Sequence, residues 1–255
     1  GRLEGYSRAM ILKDEAIILR VYPYGNTSRI MVGLSAAHGK LAVLVKGSQR
    51  ERSGFLGQYD LFYTCEILFY AREQRNLHIL RECCPLQSRS ALREDWRACA
   101  AASYVAGVFD LAMPFGPAPH GLYGLLADTL DRLATRTPGP AFLPRFELLM
   151  LQELGLAPNW DACAKCRAPL HGDNGLRLDV AHGAALCEAC SAGRGVAVSA
   201  AAAAALRRMR AGHPPAALPA SVFREVRALM GGLLEHHADL PGRAREIAFQ
   251  VLAAG

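Results

Sequence analysis

Apolar and polar residues alternate in short runs from Asp14 to about Cys84, and Gly, Asn and Ser signals such as "HGK" at 38–40 and "KGS" at 46–48 separate the runs. The runs are "EAIILRVYPYG", "SRIMVGLSAAHG", "KLAVLVKG", "YDLFYTCEILFYA" and "NLHILREC". A period of two broken by turn residues is the mark of β-strands, and five strands in about seventy residues predict a small barrel.

After Pro85 the period lengthens. "LREDWRACAAASYVAGVFDLAM" at 92–113 is Ala-rich, crowds its charges at the start and stops before Pro114, which predicts a buried helix. Further helices are predicted at 120–136, closed by "TPGP", and at 141–156, closed by Pro158. Ser199 is placed to cap a helix that runs through the alanines at 200–205, and two more helices are expected at 219–237 and 241–253. No internal repeat is visible. Strands first and helices afterwards is the α+β pattern. Residues 1–9 carry no periodicity and read as a non-native remnant, with Met10 as the native start. The barrel is expected over 10–85 and a helical domain over 86–255, interrupted by an insert at 159–195.

The insert holds the sharpest chemical signal in the chain. Cys163, Cys166, Cys187 and Cys190 form C-x2-C-x20-C-x2-C, a spacing in which two tight turns each present two thiolates to a tetrahedral ion, and zinc is the expected metal. Between the pairs, "LRLDVAHGAAL" alternates around His182-Gly183, so a hairpin is expected to carry the second pair back to the first. His171 and His182 are conceivable substitute ligands, but four thiolates already close the shell. A catalytic ion keeps one position open for water. The patterns that go with such sites, HExxH and HxE…PCxxC, are absent: His171 precedes Gly-Asp, His182 precedes Gly-Ala, and Leu186 stands before Cys187. A redox CxxC needs a βαβ setting rather than two pairs facing each other across a hairpin. The cage is therefore expected to brace the fold rather than to react. The remaining cysteines, Cys65, Cys83, Cys84 and Cys99, fall in apolar runs and are expected in the core.

Composition narrows the class. Hydrophobic residues make up 51% of 255, enough to fill a core without staples. The longest uncharged apolar run, "ACAAASYVAGVF" at 98–109, is too short to span a bilayer, and no charged-then-apolar leader opens the chain. A reducing, cytoplasmic setting follows as the expectation, and it favours metal binding over disulfides. The net charge of +6 favours polyanionic partners, and most of it is local. Arg20, Arg29, Lys40, Lys46, Arg50 and Arg52 stand against the single acid Glu51, a net +5. On a barrel these would fall at strand ends and in the loop "KGSQRERSGFLG", whose cations can track a phosphate backbone. A plainly solvated loop, with lysines guarding strand edges, is an equal reading of the same residues.

Tyr22, Tyr24, Phe55 and Tyr59 are candidates to stack on unpaired bases, although aromatic residues in strands are more commonly core. Arg207, Arg208 and Arg210 suit the dipole at a helix C-terminus, and "EHH" at 235–237 reads as a solvated helix end. GxSxG, a Walker loop, GxGxxG after a strand and paired carboxylates in an apolar setting are all absent, so no enzyme activity is expected.

With these features in place, "AIILRVYPYGNTSRIMVGLSAAHGKLAVLVKGSQRERS", "RFELLMLQELGLAPNWDACAKC" and their order resemble the bacterial recombination mediator family RecO, over nearly the whole chain from Asp14. The resemblance implies an N-terminal OB-fold and a helix, "RFELLMLQELG", leading into a zinc element. It implies a non-catalytic, nucleoid-associated cytoplasmic protein that binds single- and double-stranded DNA and anneals complementary strands. Acting with RecR, such a protein helps to load RecA onto strands coated by single-strand-binding protein. By motif, Lys46, Arg50 and Arg52, with Arg20, Arg29 and Lys40 on the preceding strands, are the implied phosphate contacts. Arg145 is similar to an arginine near the family's groove for the acidic-aromatic tail of single-strand-binding protein. The sequence departs from the pattern at Asn26, where the family often has an acid after "YG". Some members lack the four cysteines, which fits a bracing metal. The alternative is a zinc-stabilised protein-interaction or transcription-factor-like module without annealing activity.

Overall fold

The computed structural model describes residues 10–72, 76–139, 141–170, 175–213, 217–238, 240 and 242–253. Five strands, β1 (Met10–Tyr24), β2 (Ser28–Ser35), β3 (Gly39–Val45), β4 (Thr64–Ala71) and β5 (Leu77–Gln87), close into a barrel in the order β1-β2-β3-β5-β4. Every pairing is antiparallel except β3 with β5. This is the OB-fold. The alternation in the sequence explains its interior: Ala16, Ile18, Met31, Leu41, Val43, Val45, Ile67, Phe69 and Leu80 point inward and pack on one another. Strand β1 serves two neighbours, pairing with β4 through Met10–Ile17 and with β2 through Ala16–Tyr24. The register shift between Ile18 and Arg20 bends it from one to the other.

Helix α1 (Trp96–Ala112) follows a 3-10 turn (Ser90–Arg93), and α2 (His120–Thr135) follows α1. The chain divides into two compact units, one of residues 1–94 and 106–135, the other of 95–105 and 136–255. The division thus falls inside α1. The reason is that α2 belongs with the barrel. Arg89, buried, donates through Nη1 to the Phe62 carbonyl (2.7 Å) and Thr64 Oγ1 (2.9 Å) and through Nε to Asp131 on α2 (2.6 Å), while Tyr123 on α2 donates to Glu15 on β1. Gly39 is required here. Its φ is +71°, and a β-carbon would collide with the Gly116 carbonyl that pairs with Lys40 (N···O 3.0 and 2.8 Å).

The second unit contains α3 (Phe142–Glu153), a small sheet of β6 (Leu176–Asp179), β7 (Ala184–Cys187) and β8 (Val196–Val198), a one-turn helix α4 (Glu188–Ser191), and α5 (Ala200–Arg210), α6 (Ala220–Ala238) and α7 (Gly242–Ala253). Helices α3, α5 and α6 pack on one another, and Leu143, Leu148, Leu151, Leu206, Met209, Val226, Met230 and Leu233 on them are buried. Ser199 caps α5 as the sequence requires, accepting from the Ala202 amide at 3.1 Å.

One polar cluster crosses this apolar interior. Glu147 on α3 is wholly buried; Arg245 on α7 meets it with Nε (2.7 Å) and Nη2 (2.8 Å), and Tyr104 on α1 donates to it at 2.7 Å. Burial works against the Arg245 charge, but the Glu147 carboxylate outweighs it and holds the guanidinium pKa above its usual value. Nothing in the run "RFELLMLQELG" announced a buried carboxylate.

The cysteines outside the insert correct one expectation. Cys65 is buried, Cys83 and Cys99 are half-buried, and Cys84 is exposed, because adjacent strand residues face opposite sides.

Candidate metal centre and nucleic-acid interface

The first pair of cysteines sits in a tight turn. The Arg167 amide donates to the Cys163 carbonyl (3.0 Å) with Arg167 itself left-handed (φ 63°), and Cys163 donates back to Ala168 (2.8 Å). The second pair ends the hairpin of β6 and β7, which turns at His182-Gly183 with Gly183 at φ +58°. Cys187 is the last residue of β7 and Cys190 lies in α4. A bond from the Ala164 amide to the Ala185 carbonyl (2.9 Å) brings the two pairs together, and the four sulfurs lie within 4.8 Å of one another. A tetrahedral ion with sulfurs at about 2.3 Å sets them about 3.8 Å apart. Cys166 Sγ and Cys187 Sγ are 3.7 Å apart, so the donor set fits such an ion.

Burial alone would push the Cys163 thiol up; the amides of Cys166, Cys187 and Lys165, aimed at the sulfur, prevail and hold it at about 6. Cys190, bonded by the thiols of Cys166 and Cys187, is pushed up to about 12. His182 is turned away to Asp179 (2.9 Å) and is no ligand; His171 lies outside the described residues.

The arginines on α5 are the unexpected part of this centre. Arg207 donates to the Trp160 carbonyl through Nε (3.1 Å) and Nη2 (2.7 Å) and also to the Leu170 carbonyl, and Arg210 pairs with Asp161. They latch the two ends of the first cysteine turn to α5, a more specific task than favouring a helix end. Arg208 stays exposed. His237, too, is not merely solvated: it shares a hydrogen bond of 2.7 Å with the Val180 carbonyl at the hairpin.

The six expected phosphate contacts separate into three kinds. Lys40 is corrected: it is 5% exposed, its ammonium lies 3.0 Å from an Asp110 carboxylate oxygen and bonds the Asp110 and Met113 carbonyls, and it faces the Phe115 ring. A cation so enclosed is not open to a phosphate. Arg20 is intermediate. Half its side chain is exposed, and its guanidinium pairs with Asp110 at 3.3 Å and lies 5.0 Å from the Tyr22 ring centre. Arg29, Lys46, Arg50 and Arg52 are exposed and make no ion pair with a described residue.

These four converge at one end of the barrel because the loop after β3 is tied to the β1–β2 hairpin. Gly47 donates to Ser28 Oγ (3.2 Å) and Gln49 to the Thr27 carbonyl (2.9 Å). Arg29 and Val45 are register partners, which sets Lys46 beside Ser28. The turn itself closes with Arg50 to Gly47 (3.2 Å) and Ser53 to Arg50 (3.0 Å), and Gly47 is left-handed (φ +65°) with the Arg50 side chain folded over its bare α-carbon. Of the expected aromatics, Tyr22 and Tyr24 are exposed on the hairpin, Phe55 is half-buried, and Tyr59 belongs to the barrel core.

Arg145 lies on α3, half-buried. A neighbouring apolar groove of about 560 Å³ is lined by Ala141, Leu218, Phe223, Phe249 and Leu252, with Arg97 and Arg227 at its sides; Arg145 is not part of its wall. Arg97 Nε is buried there without a hydrogen bond to a described residue. Sequence periodicity could not have found this groove, since its walls come from separate helices. Among the described residues, no helix is long and apolar enough to cross a membrane.

Comparison with known proteins agrees with this architecture. Residues 10–89 match the family model Recombination protein O N terminal and residues 93–246 match Recombination protein O C terminal, a division close to the end of β5. The chain is 34% identical to a DNA repair protein RecO of Anaeromyxobacter sp. (strain K), with 89% of this chain and 91% of the relative covered. It is 31% identical to the DNA repair protein RecO of Myxococcus xanthus (88% and 91% covered) and 31% identical to that of Moorella thermoacetica (72% and 68%). A closed OB barrel, a helical unit bearing four gathered cysteines, and these matches along most of the chain establish that it belongs to the RecO family of DNA repair proteins.

Proposed function

We propose that the chain is a non-catalytic DNA-binding recombination mediator that binds single- and double-stranded DNA and anneals complementary strands. With RecR, it assists RecA loading where single-strand-binding protein coats the strand, in the cytoplasm at the nucleoid. The observation that carries this reading is the gathering of Arg29, Lys46, Arg50 and Arg52, exposed and without acidic partners, at one end of the barrel. Cations so placed bind phosphates by releasing counterions, with little regard to sequence. Arg20, partly neutralised by Asp110, contributes less. Zinc is the metal of the four-thiolate centre: a closed set of four sulfurs suits it and leaves no position for a reacting water. The groove with Arg97 at its side suits an acidic peptide with an aromatic end, although Arg227 on its other side is already paired with Glu246; the tail of single-strand-binding protein is its proposed occupant, with Arg145 on α3.

Replacing Lys46, Arg50 and Arg52 together with alanine tests the reading. Affinity for oligonucleotides of any sequence is expected to fall, and the salt dependence on single strands to flatten by about 0.7 per lost phosphate contact. Unchanged affinity and slope in a folded triple variant would remove the assignment. Strand annealing, measured with and without single-strand-binding protein, tests the mediator role itself.

A further inference from the structure

Strand β1 ends in the alternation Arg20, Tyr22, Tyr24, and the register with β2 continues unbroken from Arg20 to the hairpin tip. Alternate strand residues share a face, so the three side chains project to the same side. Tyr22 stands opposite Ile30, Ile30 opposite Leu44, and Tyr24 opposite Ser28. The patch of Ile30, Val32 and Ala42, with Leu44 and Leu77 against it, therefore lies on the same face as the tyrosines. Lys46 directly follows Val45, the partner of Arg29, and the Gly47 amide bonds Ser28 Oγ; Lys46 thus sits across from Ser28 on that face too.

The two rings are not core. Tyr22 is 37% exposed and Tyr24 50%, and neither hydroxyl bonds a described residue. Tyr59, by contrast, is only 9% exposed and packs inside the barrel. The Arg20 guanidinium stands 5.0 Å from the Tyr22 ring centre and is held in place by Asp110. The face is thus a pinned guanidinium, two exposed rings and a free ammonium in succession. A single-stranded nucleotide matches both features at once, with a base π-face for each ring and a phosphate for each cation.

The geometry points to Tyr22 and Tyr24 as a stacking platform for unpaired nucleobases, with Arg20 extending the platform and Lys46 taking the adjoining phosphate. The inference rests on the DNA-binding reading and adds to it. Cations alone attract single and double strands alike, but bases within a duplex already stack on one another and cannot reach the rings. Preference for single strands is therefore assigned to the tyrosines and general affinity to the cations.

The test compares three ligands for the full chain: an oligothymidylate about 20 nucleotides long, an abasic strand of the same length and a duplex of the same length. Tyr22→Ala with Tyr24→Ala is expected to weaken oligothymidylate binding about tenfold or more, since stacking contributes on the order of 1–3 kcal/mol per base. Binding to the abasic strand and the duplex, and the salt slope, are expected to stay as they were. Tyr22→Phe with Tyr24→Phe retains the rings and the affinity, which separates stacking from any loss of strand stability. An alanine pair that binds oligothymidylate as the unsubstituted protein does, or that loses all three ligands equally, overturns the inference; the first result would return the tyrosines to a protein partner. The outcome is separable from that of the cation reading, because the Lys46, Arg50 and Arg52 variant acts on all three ligands.

Discussion

Two clusters of cations look alike in the sequence, one in "KGSQRER" after β3 and one in "LRRMR" at the end of α5. They behave in opposite ways. Arg207 and Arg210 are spent on the carbonyls of Trp160 and Leu170 and on Asp161, whereas Lys46, Arg50 and Arg52 face solvent with no acidic partner among the described residues. Lys40 and Lys46 repeat the contrast within six residues, the first enclosed by Asp110 and the second exposed. A run of positive charge thus has a function only once its partners are known. Cations whose hydrogen bonds end on protein carbonyls hold structure, and cations left in water are available to a polyanion.

The contrast can be broken most severely at the four-cysteine centre. Structural zinc in small sites supplies about 10 kcal/mol or more of folding free energy. Chelation, or Cys163→Ser, is expected to lower the melting temperature of the helical unit sharply while the isolated effect on oligonucleotide affinity stays small. Hydrogen exchange across β6 and β7 reports the first and a binding titration the second; a melting curve indifferent to chelator would contradict the bracing role.

Lys40→Ala comes next. It leaves Asp110 buried with Arg20 as its remaining counter-charge, and loss of one partner of a buried pair costs about 3–5 kcal/mol. Lys46→Ala is expected to leave urea unfolding unchanged and to weaken DNA binding, so the two lysines should exchange their effects between the two assays. Arg207→Ala, which strands the Trp160 and Leu170 carbonyls, is expected to cost about 1–3 kcal/mol of stability with DNA affinity untouched.

The smallest effect lies in pH. His78, on β5, has its pKa held below the usual 6.5, first by burial and then by repulsion from His38 and Arg72. A histidine with a depressed folded pKa binds fewer protons folded than unfolded, so its contribution to stability is intact above 6.5 and falls as pH drops through that value. His78→Gln is expected to flatten the pH dependence of barrel melting just below 6.5.

The strands, the order of elements and the four cysteines were legible because each rests on local spacing: a period of two, a period near 3.6, and C-x2-C. What escaped depends on side chains brought together from far apart. Asp110 lies seventy residues beyond Lys40, so no local pattern shows that this lysine is already taken. The latch from Arg207 to Trp160 and the union of Glu147 with Arg245 are of the same kind. Tyr22 and Tyr59 are the same residue type, each in a run that reads as a strand, yet only the closed barrel decides which faces inward.

The buried carboxylate of Glu147 makes demands on the order in which the polypeptide is completed. Its guanidinium arrives 98 residues later, on the last helix. A nascent chain that has emerged only as far as α6 must either leave this acid in water, holding α3 open, or take up a proton to enclose it. A product truncated before Gly242 inherits the same dilemma, so quality control by cellular proteases should remove such fragments far faster than the finished molecule.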